Sequence, residues 1–113
     1  MKLSEIIEKL QLEIRTGVNR VDADVTRGYA SDLMSDVMAN GNEGDLWVTL
    51  QIHQNIVAVA VMRSLAGIIL VNGREPDEET IKKAEAEDIP IMISTLPTFE
   101  LVGKLFEMGI SGT

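Results

Sequence analysis

Apolar and polar positions along this chain form short patterns whose period changes from segment to segment. Ile6, Ile7 and Leu10 fall at i, i+1 and i+4, and Glu5 and Glu8 stand early, where a helix dipole favours acids. This predicts a first helix capped by Ser4 and ending near Gln11. Residues 12–15 alternate apolar and charged side chains and stop at Thr16-Gly17, the pattern of a short strand and a turn. Residues 25–29 read as an edge strand, because Asp22, Asp24 and Arg27 discourage pairing with other molecules.

Ser31 is the predicted cap of a second helix. Leu33, Met34, Val37 and Met38 make its apolar face, Asp32 and Asp36 point away, and Asn40-Gly41 closes it in a left-handed conformation. Residues 46–50, after the Gly44-Asp45 turn, suit a buried strand. The run from Ile56 to Met62 is apolar at every position, and periodicity alone does not separate helix from strand there. Helix over 55–65 is the consistent choice, because residues 67–71 form a clean strand only if the chain has first been carried back across the sheet. Residues 77–87 form a helix with Pro76 near its first turn, acids first and Lys82 and Lys83 later. Residues 90–94 form a strand, and Thr98 is the predicted cap of a last helix with Phe99, Val102, Leu105 and Phe106, ended at Gly109.

Strands separated by helices of about ten residues call for right-handed crossovers and a mainly parallel sheet covered on both faces. The expected fold class is a three-layer α/β/α Rossmann-like domain. With 113 residues, the whole of 1–113 is expected to be one domain around one core. Aromatic residues are only 4% of the chain, so aliphatic side chains and methionines such as Met34, Met38, Met62 and Met92 are expected to fill the interior.

Composition removes several classes of function. The chain has no cysteine, hence no disulfide, no thiolate ligand and no redox pair. A net charge of −8 argues against a nucleic-acid partner, since phosphate binding relies on clustered Lys and Arg, and serves solubility. The longest apolar stretch is broken by Arg63 and Ser64 and is too short to cross a bilayer of about 30 Å. With no signal peptide visible, a cytoplasmic location and no membrane partner are expected.

In an open α/β sheet, ligands gather beyond the carboxyl ends of the strands. Four stretches follow predicted strands: Thr16-Gly17; Gln51 with His53 and Asn55; Asn72-Gly73-Arg74; and Ser94-Thr95 leading to Thr98. From these, Gln51, Asn55, Asn72, Gly73, Arg74, Thr95 and Thr98 are the candidate ligand-binding residues, equipped for a small anionic molecule. Arg74 offers a planar donor fork suited to phosphate or carboxylate, although Glu75, Asp77 and Glu78 beside it compete as surface partners. Asn72-Gly73 also suits a plain turn with positive φ.

No catalytic residue, metal site or cofactor is expected. His53 is the one histidine, without a second at ligand spacing, and reads as a loop or helix-start residue. Asp22, Asp24 and Asp32 lack the glycine and terminal glutamate of a calcium loop and read as a solvated turn. There is no Gly-x-Ser-x-Gly elbow, and Gly103-Lys104-Leu105 lacks the upstream glycine and the following Ser or Thr of a phosphate-binding loop. A small enzyme built on His53 is the weakest reading. An interaction protein docking a partner or a second copy through the face beside Ile56 to Met62 is the main alternative to an effector-binding regulator.

The run from Gly67 through Val71-Asn72-Gly73-Arg74-Glu75-Pro76, then a helix, then Ile89-Pro90-Ile91 and Leu96-Pro97-Thr98, resembles the DRTGG domain and the related N-terminal domain of HPr kinase/phosphorylase. Residues 3–17 resemble the start of that domain, so the likeness covers almost the whole chain. Val71-Asn72 departs from the Thr-Gly or Thr-Arg usual before the glycine, which keeps the turn and removes a hydroxyl. The resemblance implies a Rossmann-like regulatory module without the kinase domain, commonly a homodimer. Relatives accompany CBS domains in family II pyrophosphatases, where adenine nucleotides bind the regulatory region, and occur within some phosphotransacetylases. Others are free-standing beside iron hydrogenase subunits, which implies a hydrogenase subunit or another enzyme as a possible partner.

Overall fold

The computed structural model describes residues 1–112. In chain order the elements are α1 (Leu3–Leu10), β1 (Glu13–Thr16), β2 (Arg27–Ala30), α2 (Met34–Asn40), β3 (Asp45–Thr49), α3 (Asn55–Met62), β4 (Gly67–Leu70), α4 (Glu78–Glu87), β5 (Ile91–Ile93) and α5 (Thr98–Glu107), with a 3₁₀ turn at Val18–Arg20. One sheet has the order β1-β5-β4-β3-β2. The strands β2 to β5 are mutually parallel, and β1 lies antiparallel to β5 at one edge.

Strand alternation divides the core into two layers. Leu46 and Val48 of β3, Ile69 of β4 and Met92 of β5 face α1 and α5, where they meet Leu3, Ile6, Leu101 and Leu105. Trp47, Ile68, Leu70, Ile91 and Ile93 face the other way, onto Val37 of α2, four residues of α3 and Ala84 of α4. This is the three-layer α/β/α arrangement expected.

The ambiguous apolar run is the helix α3. Ile56, Val57, Val59 and Ala60 are buried, whereas Val61 and Met62 reach solvent. Ser64 turns the chain with a φ of 54°, and the guanidinium of Arg63 donates twice to the Gly41 carbonyl at 3.0 and 2.8 Å. No helix among the described residues is long and apolar enough to cross a membrane.

Several local expectations are corrected. Lys2, not Ser4, is the cap of α1; Ser4 lies inside the first turn, and the Glu5 carboxylate accepts from the Lys2 backbone N–H at 3.4 Å. Ser31 does not cap α2, which starts three residues later after an extended Leu33; the Ser31 hydroxyl instead accepts from the Leu33 N–H in a turn. Leu33 is 64% exposed and contributes nothing to the core face. Gly41 is extended, with φ −70°, rather than left-handed. It is glycine for space, because a Cβ there would come within 2.8 Å of the Val37 carbonyl oxygen. The edge strand starts at Arg27, two residues late, because Val25 is drawn into the core beneath α1.

Candidate functional site

Hydrogen bonds from side chains and backbone join the carboxyl ends of the four parallel strands into a continuous rim. Beyond β2, the Asp32 carboxylate accepts from the Thr49 hydroxyl at 3.0 Å and the Leu50 N–H at 2.9 Å, while the Gln51 amide donates to the Asp32 carbonyl at 2.9 Å. Beyond β3, the Ile52 carbonyl accepts from the Asp77 N–H and the Thr80 hydroxyl, which ties the start of α4 to that exit. Beyond β4, the N–H groups of Asn72 and Gly73 donate to the carbonyls of Leu96 and Ser94 at 2.9 and 2.8 Å. The turn carrying Arg74 is thereby stitched to the loop carrying Thr95.

The rim holds Gln51, Asn55, Asn72, Gly73, Arg74, Thr95 and Thr98, each on or just beyond an exit of β3, β4 or β5. Their roles are uneven. The Gln51 side chain and the backbone N–H groups of Asn72 and Gly73 are occupied within the protein, so a ligand there meets side chains rather than a nest of free amides. Asn72 and Gly73 have φ of 59° and 65°, the positive-φ turn that Asn-Gly suits. Asn55 opens α3, and its N–H donates to Nδ1 of His53, which places His53 in the loop before that helix. Thr98 is not the cap of α5 but its first residue; the extended Pro97 is the cap.

Arg74 is exposed and makes no ion pair among the described residues. The acid next to it is taken: Glu75 receives two hydrogen bonds from Arg15, which also binds Glu13. The Arg15 guanidinium holds the Glu75 carboxyl below its ordinary pKa.

Thr16-Gly17 does not join the rim. Thr16 pairs with Ile91 at the start of β5, because β1 runs opposite to its neighbour, so its exit lies at the other end of the sheet. The buried Thr16 hydroxyl donates to the Ile89 carbonyl at 2.8 Å and accepts from the Ile91 N–H at 3.0 Å.

Two cations absent from the expected set stand close by. A cavity of about 370 Å³ next to Thr95 and Leu96 is lined by Lys9, Leu10 and Gln11 from the end of α1 and by Lys104 from α5. These residues are distant in sequence and meet because α1 and α5 share one face of the sheet. The only sequence signal was each lysine's place near the C-terminal end of an amphipathic helix. Among the described residues no group of three or more His, Asp or Glu side chains is placed to hold a metal ion. Asp24 pairs with Lys2 at 3.6 Å, away from the Asp32 site at the strand ends.

No protein-family model matches the chain, and no curated protein matches it. Among solved structures the chain is similar to the CBS and DRTGG domains of the regulatory region of Clostridium perfringens pyrophosphatase, crystallised with its activator diadenosine tetraphosphate. The TM-score is 0.73 at 17% sequence identity, over 90% of this chain and 44% of that one, so this chain spans less than half of the solved regulatory region. The shared feature is the fold: the α/β architecture of this protein is one also found in a nucleotide-responsive regulatory region that contains a DRTGG domain.

Proposed function

We propose that the chain is a DRTGG-type regulatory domain, acting as a single unit over its 113 residues and without catalysis of its own. In this reading it works as a homodimer and binds a small anionic effector, of nucleotide or phosphate type, at the carboxyl-end rim. The observation that carries the reading is the pairing pattern around Arg74. With Glu75 held by Arg15, the Arg74 guanidinium is left without an acid partner among the described residues, on a turn fastened to the loop of Thr95. A planar fork of donors in that position suits a phosphate or carboxylate. Lys9, beside Thr95 across the neighbouring cavity, adds a second positive charge in a chain whose net charge is −8. Asn72 and Gly73 set the turn, Thr95 and Thr98 offer hydroxyls, and Gln51 and Asn55 border the β3 side.

Thermal denaturation against a panel of nucleotides and sugar phosphates tests this. An effector at 100 times its Kd adds about 2.7 kcal/mol of stability. The expected result is a shift with at least one anion that shrinks in Arg74→Ala and in Lys9→Ala. Silence across the panel, or a shift indifferent to both substitutions, overturns the effector site.

A further inference from the structure

The chain has two phenylalanines, and both are on the outside of α5. Phe99 is 87% exposed, Phe106 68% and Val102 37%, whereas Leu101 and Leu105 on the opposite side of the helix are buried. At 3.6 residues per turn, Phe99, Val102, Gly103 and Phe106 share one outward stripe. Gly103 leaves a notch in it: a Cβ there would meet nothing within 4 Å, and a depression of about 300 Å³ is framed by Phe99, Glu100, Gly103, Lys104 and Glu107. On the other flank, Val102 and Phe106 border an apolar cleft of about 290 Å³ whose far wall is Tyr29 and Ala30 at the β2 edge of the sheet.

This stripe is complementary to itself. In a two-fold contact each residue i meets j while j meets i. Two antiparallel copies of α5 centred between Val102 and Gly103 set Phe99 against the second copy's Phe106. The same register sets Val102 over the notch at the second copy's Gly103. Glu100 comes within one residue of the second copy's Lys104, twice by symmetry, which places two opposite-charge pairs beside the stripe, with Glu107 on the same flank. A stable interface needs roughly 800 Å² per partner, about a seventh of the 5843 Å² surface. The α5 stripe together with the cleft that continues it to β2 forms the apolar centre of such an area.

We infer that α5 is the homodimer interface of this protein, packed antiparallel on a second copy through Phe99, Val102, Gly103 and Phe106. The inference rests on the homodimeric part of the proposed function and is independent of the effector. The face beside Ile56 to Met62 offers less apolar surface, because Ile56, Val57, Val59 and Ala60 are buried in the core.

Light scattering on the full chain, with F99D and F106D, tests it. Far-UV circular dichroism confirms that these exposed substitutions leave the fold intact. The wild type is expected at twice its 12.4 kDa mass and both variants at 12.4 kDa. In this cysteine-free chain, V102C is expected to form a disulfide-linked dimer on mild oxidation. A dimer that survives both Asp substitutions, or a V102C chain that stays unlinked, overturns the α5 interface and leaves homodimerisation standing. A monomeric wild type overturns both.

Discussion

Arg15 and Glu75, sixty positions apart, form a two-point ion pair with both N···O distances at 2.7 Å, so the β1 edge is clamped to the turn beyond β4. Arg15 favours the charged form of Glu75 and lowers its pKa from the usual 4.5. A carboxyl with a depressed folded pKa stabilises the fold above its unfolded pKa, and the stabilisation is lost as pH falls through the folded value. Arg15 is shifted upward, beyond any working pH, and adds no slope. E75Q is therefore expected to melt a little below the wild type at neutral pH, with the gap closing as pH drops below about 4.5. Melting curves from pH 7 to 3 check this, and a gap independent of pH would rule the pair out as the cause.

Thr16 satisfies two buried backbone groups of the loop into β5 with one hydroxyl. Thr16→Val preserves the shape and removes both bonds, leaving the Ile89 carbonyl and the Ile91 N–H unpaired. A loss of about 1–3 kcal/mol is expected, read from the denaturation midpoint in urea, with Thr16→Ser losing less.

Gly17 and Gly73 both have positive φ, at 70° and 65°, but differ in surroundings. A Cβ on Gly17 would stand 2.6 Å from the Ile89 carbonyl carbon, against backbone that has no room to move, whereas a Cβ on Gly73 meets nothing within 4 Å. Gly73→Ala is expected to cost about 1–2 kcal/mol from conformation alone. Gly17→Ala should cost clearly more, and equal losses in chemical denaturation would contradict the packing at Pro90.

Trp47, the single tryptophan, is fully buried, and its indole N–H donates to the Ser31 carbonyl at 2.8 Å. Its fluorescence is expected to be blue-shifted in the native protein and to move red in one step on unfolding. Trp47→Phe leaves that carbonyl without its donor and should lower stability by about 1–3 kcal/mol, measured by circular dichroism.

Most elements are legible along the chain, and the details that are not depend on the path the chain takes in three dimensions. The apolar run of α3 was readable as a helix because the next strand had to lie parallel to β3. Ser4, Ser31 and Thr98 have the residue type of a cap and do not serve as one, because a cap depends on the direction from which the chain arrives. The α2 face was read one residue too wide, taking in Leu33, because α2 starts late. Thr16-Gly17 lies away from the rim that its sequence suggests, because local sequence does not record that β1 runs antiparallel.

Periodicity, turn residues and the spacing of apolar runs determined by themselves the alternating helices and strands and the layered class of fold, because these depend on neighbours within a few residues. Only the tertiary structure decided that Glu75 belongs to Arg15 and not to Arg74, that Lys9 and Lys104 meet beside Thr95, and that both phenylalanines face outward. Each is a contact between, or an exposure set by, elements distant in sequence, and strand order and helix docking fix them together.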